Sequence, residues 1–294
     1  MSEAVELPGS GGIRLRADVF GPPGGRPVVL LHGGGQTRHS WGTTGRLLGE
    51  RGWRALAVDL RGHGESDWPE DGDYRLDAFA ADIRSLAAEL GAPPVLVGAS
   101  LGGMSSLVAV AEVPGPVASG LVLVDVAPRI ESAGAERIGD FMREHMESGF
   151  ATLEEAADAV AAYNPHRPRP RDLTGLQKNL RQRPDGRWVW HWDPRFISGD
   201  GGSPDETRAS IMDPDRLEAA ARGLTIPVLL VRGRVSDLLS EEGARRFLEV
   251  VPHAEFADVA GAGHMVAGDR NDLFNDAILS FLDRLAPAPS GRAV

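Results

Sequence analysis

The feature that most constrains this chain is a short turn. The apolar run Val95-Leu96-Val97 leads into Gly98-Ala99-Ser100-Leu101-Gly102, and a helical pattern from Leu101 to Val113 begins at once. A strand that passes so abruptly into a helix belongs to a sheet covered by helices. The two glycines let strand and helix approach closely, and the tight turn holds the Ser100 hydroxyl out at the carboxyl edge of the sheet. The helix that follows points its free N–H groups and positive dipole end at the same spot, which favours an anion developing there. Gly/Ser turns between strands and helices are also common structural features, so the rest of the chain must choose between the two meanings.

Apolar runs bounded by Gly and Pro alternate with helical periodicity along most of the sequence, the pattern of a parallel sheet built through helical crossovers. The spacing predicts strands at Ile13–Phe20, Pro27–Leu31, Trp53–Asp59, Pro94–Gly98, Gly120–Asp125, Ile226–Arg232 and Ala254–Val259. Helices are expected at Trp41–Arg51, Leu76–Leu90, Leu101–Val113, Ser240–Val251 and Asp269–Leu285. The fold class is therefore α/β, a mostly parallel twisted sheet with helices on both faces. Between Asp125 and Ile226 the rhythm breaks, because a crossover needs only about a dozen residues. A largely helical cap inserted between two late strands accounts for the excess, with helices at Ile138–Ser148 and Leu153–Tyr163. The expected division is a core of residues 1–128 and 222–287, a cap of residues 129–221 and a tail of residues 288–294. Within the cap, Trp188-Val189-Trp190-His191-Trp192 alternates with period two, so an extended backbone puts three tryptophans on one face. These rings and Phe196 either line an apolar pocket or fasten the cap to the core.

Composition narrows the chemistry. The 294 residues carry 31 Lys+Arg against 42 Asp+Glu, a net charge of −11, which repels phosphate backbones and argues against nucleic acid as a partner. Absence of cysteine removes disulfides, thiolate metal sites and a Cys nucleophile. The eight histidines show no metal-ligand spacing, so neither metal nor cofactor is expected. Met1–Pro8 lacks the charged start and apolar run of a signal peptide, and no stretch approaches the ~18 apolar residues of a membrane span. The expectation is a cytoplasmic protein, with no membrane partner, acting on a small-molecule substrate. Monomer and homodimer both remain open.

A serine hydroxyl is a weak nucleophile until a base takes its proton, and the base needs a carboxylate to fix its tautomer. Both stand downstream of Ser100, each after a strand: Gly233-Arg234-Val235-Ser236-Asp237, then Ala260-Gly261-Ala262-Gly263-His264. The order Ser, Asp, His with one helix and one strand between the last two brings all three to one sheet edge. Asp237 is preferred as the acid because its loop immediately precedes the histidine loop. Asp125, at the end of an earlier strand, is the rival, and Asp237 could instead cap the next helix. His32-Gly33-Gly34-Gly35 follows the strand ending at Leu31, and its glycines let backbone N–H groups face a ligand. No dinucleotide or P-loop fingerprint accompanies it. One N–H from this loop and one from Leu101 would make an oxyanion hole. Arg234 could reach a substrate carboxylate or serve a structural ion pair.

With these pieces assembled, the chain resembles the α/β-hydrolase superfamily over nearly its whole length. The likeness is to capped members related to esterases, enol-lactone hydrolases and cofactor-free haloperoxidases. Asp59-Leu60-Arg61-Gly62-His63-Gly64-Glu65-Ser66 is similar to a structural turn of that superfamily, and His63 is assigned no chemistry. The resemblance implies Ser100 as nucleophile, His264 as base, Asp237 as acid, and the N–H groups of Gly34 and Leu101 as the oxyanion hole. Ser100 stands where epoxide hydrolases and haloalkane dehalogenases of this fold carry aspartate. Gly34 and Gly35 replace the aromatic residue and proline of perhydrolase-like members. Met265 and Leu101 replace the tryptophans of carbon–carbon bond hydrolases and proline-releasing peptidases. The expected activity is hydrolysis of a carboxylic ester or lactone of a small, largely apolar substrate through an acyl-enzyme on Ser100. Two alternatives use the same residues or fold: acyl transfer to another acceptor, and a non-catalytic small-molecule receptor.

Overall fold

Near-continuous runs of Val, Leu and Ala form strands buried on both faces, as parallel sheets require. A computed structural model of the chain describes residues 2–163, 169, 171–199, 213–263 and 271–285. Its main sheet holds eight strands, and two more pair separately. In chain order they are β1 (Glu3–Pro8), β2 (Arg14–Phe20), β3 (Pro27–Leu31), β4 (Arg54–Val58), β5 (Val95–Ala99), β6 (Gly120–Val124), β7 (Leu180–Gln182), β8 (Trp188–Trp190), β9 (Val228–Gly233) and β10 (Glu255–Val259). The large sheet runs β1-β2-β4-β3-β5-β6-β9-β10. Strands β1 and β2 join antiparallel, and every pairing from β4 to β10 is parallel. β3, β5, β6 and β9 are buried throughout. Each fully buried Val or Leu there contributes about 1.5–3 kcal/mol.

The described α-helices, numbered in chain order, are α1 (Gly42–Glu50), α2 (Leu76–Ala88), α3 (Leu101–Ala111), α4 (Ser132–Glu144), α5 (Leu153–Tyr163), α6 (Thr174–Gln177), α7 (Arg195–Ser198), α8 (Pro214–Arg222), α9 (Glu241–Val250) and α10 (Asn275–Leu285). One face of the sheet packs α2, α3, α8 and α9 around Phe79, Leu107, Leu217 and Phe247. The other packs α1 and α10 around Trp41, Leu48, Ile278 and Phe281. Local sequence sets the helix starts. The Asp213 carboxylate accepts from the N–H groups of Asp215 and Arg216 with Pro214 in the first turn, and the Ser240 hydroxyl accepts from Gly243.

Several elements depart from expectation, among them a β7–β8 hairpin in the insertion and α10, which begins at Asn275. Strand β1 adds an antiparallel edge beyond β2, its half-buried Val5 and Leu7 packing on the core. Helix α4 begins at Ser132, six residues before the expected Ile138, because Gly134 lets its first turn lie against a core loop. Helix α8 belongs to the sheet's helical layer, since Leu217, Ala220 and Ala221 are buried against α3 and α9.

Between β6 and β9 the chain builds a separate core of Phe141, Phe150, Leu176, Trp190 and Trp192. Trp190 and Trp192 are only 3% and 2% exposed; they pack in this core and also line a small cavity with Met146, Arg181 and Val189. The segment docks on the turn after β4. Gly64 N–H donates to His191 O at 2.7 Å, Asp193 N–H to Gly62 O at 2.8 Å, and Tyr74 Oη–H to Asp193 at 2.7 Å.

Candidate active site

Ser100 sits between β5 and α3 with φ 46° and ψ −114°, a conformation disfavoured for any residue with a Cβ. The glycines around it are required by contact. A Cβ on Gly98 would stand 2.4 Å from the Gly102 carbonyl group, and one on Gly102 would stand 2.6 Å from Leu31 O. Ser100 N–H donates to Val124 O at 3.2 Å, tying the turn to the neighbouring strand.

The loop after β3 lies directly against this turn. Its core is a tight turn in which Gln36 N–H donates to Gly33 O at 3.1 Å, with Gly35 at φ 80°. A positive φ at that turn position is why a glycine stands there. A Cβ on Gly33 would lie 3.3 Å from Ser100 Cβ, so loop and elbow are in contact. The amides divide into two groups. Gly33 N–H donates to Gln36 Oε1, Gly35 N–H to His63 Nε2, Ser100 N–H to Val124 O and Gly102 N–H to His32 O. Among the described residues, the N–H groups of Gly34 and Leu101 meet no acceptor. Two unspent amides beside a protruding hydroxyl form a place where an oxyanion can be bound.

The two acidic candidates occupy different settings. Asp125 follows β6, whose Val124 pairs with Ala99 of β5, so Ser100 and Asp125 leave adjacent strands side by side. Asp125 is 2% exposed with φ 53°. Its Oδ1 accepts from Gly233 N–H at 2.9 Å and its Oδ2 from Ser236 Oγ at 2.7 Å. Asp237, the acid expected from chain order, pairs with Arg137 of α4 at 2.7 Å, and its side chain is 35% exposed. The same guanidinium lies 4.5 Å from the centre of the Tyr163 ring. The backbone there is close to α4 as well, since a Cβ on Gly134 would be 2.1 Å from Asp237 O. His264, the expected base, lies outside the described residues. Arg234 bonds Asp258 at 3.0 Å, the structural alternative.

Two buried histidines cross-link the corner. His32 Nε2 accepts from Leu60 N–H at 3.0 Å, and His63 Nε2 accepts from Gly35 N–H at 3.1 Å. Their Nδ1 atoms face the carbonyl oxygens of Gly33 and Arg61 at 2.8 and 2.9 Å. An amide can only donate and a carbonyl can only accept, so both rings are neutral with the proton on Nδ1. Burial pushes His32 down to about 4 and His63 down to about 3. From the insertion, the Phe196 ring meets the His63 ring edge-on at 5.0 Å and stands 3.4 Å from where a Gly34 Cβ would be. Sequence reading overlooked Gln36 and gave His63 a structural turn and no chemistry. Their signal was proximity in sequence to the His-Gly loop and to the turn that packs on it.

The sheet order, the strand-to-helix elbow and the inserted segment define an alpha/beta hydrolase fold. The model of the alpha/beta hydrolase family matches residues 28–277, and the chain belongs to that family. It is 33% identical over 264 residues to the esterase Rv0045c of Mycobacterium tuberculosis, covering 87% of this chain and 82% of that protein. It is also 33% identical over 235 residues to 2-(acetamidomethylene)succinate hydrolase of Mesorhizobium japonicum, covering 78% of each. A solved structure of the M. tuberculosis esterase superposes with a TM-score of 0.71 at 29% identity, covering 96% of this chain and 92% of that one. Among the described residues no helix is long and apolar enough to cross a membrane.

Proposed function

We propose that this hydrolase cleaves a carboxylic ester or lactone of a small, largely apolar substrate through an acyl-enzyme on Ser100. The observation that carries the reading is the pair of unspent amides at Gly34 and Leu101, flanked on both sides by amides that donate inward. The Ser100 oxygen attacks the substrate carbonyl carbon while His264 accepts the hydroxyl proton, and the carbonyl oxygen takes its negative charge between the two amides. Collapse breaks the bond to the alcohol, which leaves with the proton from His264. Water, deprotonated by the same imidazole, then releases the acid and restores the serine.

For the third member of the triad we favour Asp125 over Asp237. A triad carboxylate orients and stabilises an imidazolium best when buried and held by neutral donors, which is the setting of Asp125. Arg137 already neutralises Asp237, which in this reading joins the inserted cap to the core. The similarity to an esterase over most of the chain supports the ester class.

Labelling with a fluorophosphonate and hydrolysis of an aryl acetate test the proposal. Ser100→Ala should lose labelling and at least about 10³-fold in kcat while keeping its unfolding midpoint. Parental turnover by Ser100→Ala would end the serine mechanism. Absence of turnover in a well-folded parent across an ester and lactone panel would leave a receptor. Ester products formed with added alcohols would mark a transferase.

A further inference from the structure

We infer that His63 is a positioning residue for the oxyanion hole, holding the Gly34 amide in place through the amide that follows it. The inference rests on the proposed roles of Ser100, Gly34 and Leu101.

The turn from Gly33 to Gln36 contains three glycines, so its backbone has many accessible conformations. Something outside it must choose one. Gln36 fixes the first amide from within the turn, at 3.0 Å. Gly35 is fixed from outside, by His63 Nε2 at 3.1 Å. That bond fixes the peptide unit between Gly34 and Gly35, and with the Gly33 amide fixed on the other side by Gln36 it leaves the intervening Gly33–Gly34 unit, which carries the Gly34 N–H, pinned between two held neighbours.

The ring is itself immobilised. Its Nδ1–H donates to Arg61 O at 2.9 Å, its face meets the His32 ring at 5.1 Å, and Phe196 closes the other side at 5.0 Å. His63 is 0% exposed and therefore cannot exchange its amide partner for water. His32 makes the reciprocal link, accepting from Leu60 N–H while its own carbonyl receives Gly102 N–H from the elbow. The two loops are thus laced in both directions, and the His63 end of the lacing holds the Gly35 amide. Trp192 of the insertion pairs with His63 through the backbone, and Phe196 of the same segment bears on the ring.

The test compares His63→Phe, which keeps a ring but offers no acceptor, with His63→Gln, whose Oε1 can reach the Gly35 N–H. On an aryl acetate, His63→Phe should lower kcat about 10- to 100-fold with KM changed less than about threefold, less than the loss of a donor itself. His63→Gln should recover most of that loss. Affinity for a trifluoromethyl ketone, whose adduct carries the oxyanion, should fall in step with kcat/KM across the variants. If His63→Phe does not fold, His63→Asn replaces it, being one methylene too short to reach. Parental kcat in a variant lacking the acceptor, or equal losses in His63→Gln and the non-accepting variant, would overturn the inference. An inactive Ser100→Ala beside an unimpaired His63→Phe sinks this inference alone, whereas a fully active Ser100→Ala sinks the serine mechanism with it.

Discussion

The tip of β6 and the turn after β9 each carry an aspartate at the carboxyl edge of the sheet, yet one is buried and the other faces water. Asp125 receives a backbone amide from Gly233 and a hydroxyl from Ser236, both uncharged. Asp237 is tied to a guanidinium from the insertion at the surface. Burial and two hydrogen bonds hold the Asp125 carboxylate in one orientation, whereas Asp237 is half-buried and turned toward a guanidinium of the insertion. Chain order alone cannot separate these cases, because Arg137 lies 100 positions from Asp237.

The comparison breaks most readily at the carboxylates themselves. Asp125→Asn should lower kcat on the order of 10³- to 10⁴-fold with little change in KM, and Asp237→Asn should stay within about fivefold of the parent. Steady-state kinetics on one aryl ester decide it, and the reverse ranking would return the acid to Asp237.

Acid should act next, and on the buried corner. His32 and His63 have folded-state values depressed to about 4 and about 3, below the ordinary 6.5. The unfolded chain therefore binds protons first, so the stability from these rings is complete above pH 6.5 and drains as the pH falls toward their folded values. Between pH 6 and pH 4.5 the loss should be roughly 1.4 kcal/mol per pH unit for each ring. Urea unfolding at several pH values measures it, and His63→Gln should flatten the slope.

The smallest effect belongs to the surface pair. Arg137→Gln should change stability by less than about 1 kcal/mol, because an exposed ion pair is screened by water. Urea midpoints at low and high salt check this. A larger loss would mean that the link to Asp237 governs how the insertion is held.

Much of this molecule is legible from local pattern. The elbow, the central strands and α5 are written in contiguous residues whose spacing and glycines leave few other readings. The α8 signal was present too, in Asp213-Pro214 followed by Leu217, Ala220 and Ala221, but length arithmetic assigned that stretch to the insertion. The early start of α4 was not legible, since Ser132-Ala133-Gly134-Ala135 has no apolar stripe and Gly134 is explained only by a loop brought against it in space. The use of the tryptophans was likewise not legible, since Trp190 and Trp192 both pack the insertion's core and line a cavity in it, while Phe196 stands at the oxyanion loop.

The backbone at residue 100 carries one more consequence. Its angles suit a residue without a side chain, and a serine there raises the free energy of the folded chain by about 1–3 kcal/mol. Ser100→Gly should accordingly melt higher than the parent and higher than Ser100→Ala, while being catalytically silent. Longevity of the fold and turnover of substrate thus pull in opposite directions at a single position, and the sequence has kept the less durable choice.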